Sequence, residues 1–90
     1  MTGVKVLANE IELGAALRDR RKRAGLTQAR LAGIAGVSRA FVIDLERGRR
    51  PRAELNRVLS VVRALDAAVV LVDHHEMAPD DLLAALLENR

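Results

Sequence analysis

Residues 25–48 read GLTQARLAGIAGVSRAFVIDLERG, and two helix starts stand in tandem within them. Thr27 is placed to accept the free N–H groups of one helix start, and Leu26 before it is positioned to pack on Leu31, a cap reinforced by a hydrophobic staple. Ser38 repeats the arrangement eleven residues later, with Val37 and Val42 at the two staple positions. Ala35-Gly36-Val37 leaves room for a turn of about three residues, in which Gly36 is free to take positive φ. The spacing predicts helices over residues 28–35 and 39–47, the second closed by Gly48. Two short helices joined this way form a helix-turn-helix, a unit whose second helix can enter a DNA major groove.

Working outward, Asn9 is a cap for an earlier helix, with Glu12 three residues on completing a box-like start, and Gly25 is its stop near residue 24. Leu13, Leu17 and Arg21 recur at i, i+4, i+8 and share one face, so Arg21 falls on the buried stripe. A buried charge needs a partner. Glu46, at the end of the second motif helix, is the expected one, while Arg18, Arg20, Lys22 and Arg23 are left for solvent or phosphate. Beyond the basic loop Arg49-Arg50-Pro51-Arg52, a fourth helix is expected over 53–65 with Leu55, Val58, Leu59, Val62 and Leu65 on its stripe. Val4-Lys5-Val6-Leu7 alternates like a short strand, and Ala67–Val72 is an unbroken β-prone run. A lone strand cannot satisfy its backbone groups. The second run therefore pairs with 4–7, with its own copy in a dimer through Val69, Val70, Leu71 and Val72, or with both. Pro79 suits the first turn of a last short helix over 80–88, whose leucines (82, 83, 86 and 87) form one apolar side. That helix either covers the core or docks another protein. The expected fold is mainly α: a four-helix DNA-binding and dimerisation domain over 1–73 with a short C-terminal β-strand, then an acidic tail helix over 74–90.

Ninety residues make one domain, and its core must be aliphatic because Phe41, expected at the core edge, is the lone aromatic. There is no cysteine, hence no disulfide scaffold or thiol chemistry. No apolar run approaches the ~20 residues that span a bilayer, and the N-terminus lacks the pattern of a secretory signal. A cytoplasmic, nucleoid-associated protein is expected, without membrane association. Charge is unevenly spread. Residues 18–52 carry eleven Arg or Lys against three acids, +8, whereas residues 73–90 carry five acids against Arg90, −4. The basic block coincides with the helix-turn-helix, as a phosphate-binding footprint should. The chain shows no glycine-rich phosphate loop and no carboxylate pair on a cleft, so no enzyme is expected. His74-His75-Glu76 reads as a solvated linker because adjacent histidines on an extended segment point apart. No metal and no cofactor are expected.

With Ser38 as cap, the second motif helix turns Val42 and Leu45 inward and leaves Arg39, Ala40, Ile43, Asp44 and Arg47 outward. Arg39 can donate two hydrogen bonds to a guanine edge, or grip a phosphate; Ala40 and Ile43 can touch thymine methyls; Asp44 can accept from cytosine N4. Gln28 and the amides after Thr27 stand at a helix N-terminus, a natural phosphate site, and Arg49 and Arg50 add phosphate contacts from the loop.

These same residues resemble the Xre-type helix-turn-helix of the lambda repressor and Cro superfamily, over roughly residues 10–66. The fourth helix running into RALDAAVVLVD, residues 63–73, further resembles the HipB-type antitoxins. The resemblance implies a four-helix lambda-repressor-like domain. It implies a homodimer joined by the C-terminal strand, which represses its own operon at an inverted-repeat operator and holds a HipA-like Ser/Thr kinase toxin. The family's buried Arg–Glu pair falls on Arg21 and Glu46, its phosphate-contacting glutamine on Gln28, and its base-reading positions on Ser38, Arg39, Ala40, Ile43 and Asp44. The chain departs from the pattern at Arg30, where such helices carry a glutamate, and in the leucine-rich acidic tail from Glu76. Read without a toxin, the same residues make a stand-alone Xre-family transcriptional regulator.

Overall fold

The computed structural model describes residues 6–73. Four helices follow in order: α1 Glu10–Arg23, α2 Gln28–Ala35, α3 Arg39–Glu46 and α4 Leu55–Ala64. α3 packs against both α1 and α2, and α4 closes on α2.

The helix starts form as their sequences dictate. Asn9 Oδ1 accepts from the N–H of Glu12 at 2.9 Å, Thr27 Oγ1 from Arg30 at 3.0 Å, and Ser38 Oγ from Phe41 at 3.0 Å. Each removes one orphan donor from a helix N-terminus. Glu12 also reaches back, its carboxylate accepting from the Ala8 N–H at 2.7 Å. The helix ends share one device, in which the N–H two residues past the cap returns to a carbonyl in the last turn. Leu26 donates to the Arg21 carbonyl, Arg49 to that of Asp44, and Ala67 to that of Val62. The left-handed residue this closure requires is glycine after α1 and α3, but Asp66 (φ 55°) after α4. α3 stops at Glu46, one residue short of the expected end, because Arg47 already sits in the closure.

α4 is shorter than the sequence pattern suggests. It starts at Leu55 rather than residue 53, so Leu55 stands on the first turn, 70% exposed, beyond the core. Of the expected stripe Val62 and Leu65 are buried and Val58 and Leu59 partly covered, and Val61 joins the buried pair in the core. Val61, Val62 and Leu65 pack with Leu17, Leu31, Ala32, Phe41, Val42 and Leu45 in a single aliphatic core. Phe41 is at its centre rather than its edge, only 1% exposed. With one aromatic in the chain, the sole large flat side chain fills the space among the short helices.

α1 and α3 approach closely at Gly14. A Cβ on Gly14 would collide with the carbonyl oxygen of Leu45 and lie 2.8 Å from that of Glu46. Only a glycine lets α1 cross so near the end of α3, which accounts for a residue that otherwise weakens a helix interior. Gly14, Leu17 and Arg21 recur at i, i+3, i+7 and are all buried. The crossing at Gly14 therefore delivers Arg21, two turns on, to the end of α3.

After α4, residues 67–73 continue without sheet hydrogen bonds, since a strand needs a partner strand and the single chain supplies none among the described residues. Val69, Val70 and Leu71 are exposed, Leu71 by 91%. The other half of the expected intrachain pairing, Val4 and Lys5, and the tail helix over 80–88 lie outside the described residues.

Candidate nucleic-acid interface

The interface is organised around one buried ion pair. Arg21 Nε donates to Glu46 Oε2 at 2.6 Å and Nη2 to Oε1 at 3.1 Å, while Nη1 donates to the Leu26 carbonyl at 2.7 Å. Both residues are buried, 7% and 6% exposed, so the pairing expected from helix phase is present in bidentate form. Gln28 joins it, its Nε2 donating to Glu46 Oε1 at 3.1 Å. One carboxylate at the end of α3 thus holds the last turn of α1 and the first residue of α2, and Arg21 in turn ties down the α1–α2 loop. The tie to Glu46 is additional to the phosphate contact expected of Gln28. Its half-buried amide is oriented by Glu46, with Oε1 and one N–H left over.

The cap hydroxyls have dual capacity. Thr27 and Ser38 act as acceptors within the fold, so each keeps its own O–H for donation outward. On α3, Arg39 and Ala40 are exposed, Ile43 and Asp44 half-buried, and Arg39, Ile43 and Arg47 follow one another at single-turn spacing. Val42 and Leu45 face the core as expected.

The cations of residues 18–52 divide into two sets. Arg21 is buried, Arg23 pairs with Asp19 at 3.1 Å, and Arg49 and Arg50 face Asp44 at 3.3 and 3.6 Å. Arg20, expected to be free for solvent or phosphate, is also engaged: it donates to the carbonyls of Leu65 and Asp66, both at 3.0 Å, and ties α1 to the end of α4. The orphan carbonyls of a helix C-terminus are strong acceptors for a guanidinium. The side chains of Arg18, Lys22, Arg30, Arg39, Arg47 and Arg52 make no hydrogen bond or ion pair among the described residues. Arg18 and Arg47 line, with Arg21, Gln28 and Glu46, an open cleft of about 500 Å³. Free cations thus stand on α1, α2, α3 and the loop that follows.

Asp44 is the site residue whose setting differs most from expectation. Its carboxylate faces two arginines rather than standing free for a cytosine amino group. Among the described residues no group of His, Cys, Asp or Glu is arranged to hold a metal ion, and no helix is long and apolar enough to cross a membrane.

Capped α2, a left-handed glycine turn and capped α3, backed by α1 and α4, match a family model described as a helix-turn-helix domain over residues 12–75. The chain belongs to the helix-turn-helix domain family. This helix-turn-helix protein is a DNA-binding transcriptional regulator, and its relatives include others. It is 38% identical over 65 residues to the uncharacterized HTH-type transcriptional regulator y4mF of Sinorhizobium fredii, a match covering 72% of this chain and 84% of that protein. Its fold matches the restriction-modification controller protein C.AhdI of Aeromonas hydrophila with a TM-score of 0.59 at 32% identity, over 80% of this chain and 92% of the other. It also matches HipB in a complex with an O2 20mer, with a TM-score of 0.72 at 23% identity, over 78% and 96% of the two chains. HipB in a HipA-HipB-O2-O3 complex gives a TM-score of 0.70.

Proposed function

We propose that this helix-turn-helix protein is a homodimeric, sequence-specific repressor of its own operon and a HipB-like antitoxin. The observation that carries the DNA half is the setting of Arg39: it is exposed and unpaired, on the first residue of α3 after a formed Ser38 cap. The N-terminal residues of a recognition helix are those that reach base edges. Ala40 and Ile43 follow with apolar surface for thymine methyls. Ser38 stands with Arg39 among the base-reading positions, Thr27 and Gln28 supply neutral donors to phosphate, and Arg49 and Arg50 supply charge. Two such helices from a dimer sit in successive major grooves roughly 34 Å apart, so the operator is an inverted repeat. Repression follows from occupying the promoter.

Support for the dimer comes from the run Val69–Leu71, exposed immediately after α4, with Val72 half-covered beside it. Such a run gains both apolar burial and backbone pairing from a twofold mate. The tail, with net charge −4 over residues 73–90 and four leucines, is the surface we assign to a HipA-like Ser/Thr kinase toxin. The HipB fold likeness supports this reading. The second reading is a stand-alone regulator, and it is favoured by the higher identity to y4mF and C.AhdI, 38% and 32%. Co-expression with the product of the adjacent gene separates them: the antitoxin reading expects a stable complex that suppresses kinase activity.

Two expected results test the DNA-binding and dimer assignments. Arg39→Ala weakens binding to a duplex selected from a random library by about 10- to 100-fold, as loss of one bidentate base contact entails. It leaves a random duplex bound nearly as before. Equal losses on both duplexes in gel-shift titrations would reduce Arg39 to a phosphate contact. Removal of residues 69–90 leaves all four helices intact but yields a monomer in sedimentation velocity. A truncated chain that still sediments as a dimer would eliminate strand-mediated association.

A further inference from the structure

Asp44 sits half-buried on α3, where a carboxylate opposes an approaching phosphate backbone, yet the loop after α3 is assembled around it. Its backbone carbonyl accepts the Arg49 N–H at 2.9 Å, closing the helix. Its Oδ1 faces Arg49 Nη2 at 3.3 Å, and its Oδ2 faces Arg50 Nε at 3.6 Å. Arg50 is held from a second side, its guanidinium carbon lying 5.4 Å from the centroid of the buried Phe41 ring. Arg50 meets the carboxylate through Nε and Arg49 through a single Nη, so both keep N–H groups to donate outward. The cluster of one acid and two arginines retains a net positive charge. An isolated exposed ion pair is worth little. Here, however, the acid anchors two long side chains whose freedom is costly to remove on binding.

Resting on the DNA-binding reading of α3, we propose that Asp44 is a positioning residue for DNA recognition rather than a base reader: it holds Arg49 and Arg50 in the conformation in which they grip backbone phosphates beside the groove.

Charge alone and positioning predict opposite signs. Removing an acid from a DNA-facing surface strengthens binding to any duplex through charge. If Asp44 positions the arginines, Asp44→Asn in the full chain weakens binding to the duplex that the wild-type chain selects from a random library. The expected loss is about tenfold, the cost of ordering two rotamer-rich side chains on docking. In an Arg49→Gln/Arg50→Gln background the same substitution causes no further loss, the non-additivity expected when one residue acts through the others. This cycle holds even if Asp44→Asn lowers the melting temperature, because the common loss cancels. A gain in affinity, or an equal loss with and without the two arginines, overturns the proposal. So does a motif reselected by Asp44→Asn that differs from the wild-type motif at a single base pair, the sign of direct readout. A wild-type chain that enriches no duplex overturns the DNA-binding reading itself, before any variant is compared.

Discussion

Arg21→Ala lowers the stability of the fold by about 3–5 kcal/mol, the loss expected when a buried ion pair is broken from one side. Glu46 is 6% exposed and takes three donors, two from Arg21 and one from Gln28. Truncating Arg21 removes two of those donors and leaves the carboxylate buried with a single neutral hydrogen bond. The carbonyl of Leu26 loses its 2.7 Å partner at the same time. At about 4–8 °C per kcal/mol for a domain of this size, the melting temperature falls by ~12 °C or more. Calorimetry checks the value, and an unchanged transition would remove the pair from the stability of the fold. The doubly substituted Arg21→Met/Glu46→Leu chain discriminates further. It is expected to melt above either single variant, because replacing both charges by apolar groups of similar volume removes the desolvation cost along with the attraction. Its DNA affinity is nonetheless expected to fall, since Gln28 loses the carboxylate that orients its amide.

This pair was legible in the sequence for a reason that applies to all the features read correctly. The caps at Asn9, Thr27 and Ser38, the glycine turn and the phase of Arg21 depend on residues within a few positions of one another, so helical geometry alone determines them. The partner Glu46 followed from that phase plus the rule that a buried charge is paired. The features missed depend on which backbone groups the tertiary fold brings close. Arg20 looked as free as Arg18, but the end of α4, 45 residues away in sequence, presents carbonyls to it. The outward position of Asp44 on α3 is legible, but its two ion pairs are not. Its two arginine partners lie in a loop whose path is set by the helix closure, and propensity does not report that path. On α4, the apolar spacing puts both Leu55 and Val62 on the stripe, and Leu55 falls outside the core because the helix starts only there. Gln28 was matched to a family role, and its tie to Glu46 depends on the same α1–α3 crossing that seats Arg21. That crossing had left one signal in the sequence, a glycine in the middle of an otherwise strong helix.

Gly14 is that signal, and Gly14→Ala has the second large effect. In an exposed helix interior this substitution stabilises by about 0.5–1 kcal/mol, because alanine has less backbone freedom to lose. Here the new methyl group meets the carbonyl of Leu45 and lies 2.8 Å from that of Glu46. These are backbone atoms in the last turn of α3, so no side-chain rotation relieves the clash. α1 must move outward along its contact with α3, and Arg21, two turns further on the same face, moves with it. Overpacking of a close contact costs about 1–3 kcal/mol, and lengthening the Arg21–Glu46 hydrogen bonds adds to it. The expected net loss is therefore about 1–2 kcal/mol after the helix-propensity gain is subtracted. Gly33→Ala is the matching control. Gly33 lies inside α2 with open space where the Cβ would go, so the same change there is expected to raise the melting temperature. Opposite signs for two glycine-to-alanine changes in helices of one small domain isolate the α1–α3 approach as the cause. Two stabilising changes would show that α1 can recede from α3 at little cost, and the seating of Arg21 would then need another explanation.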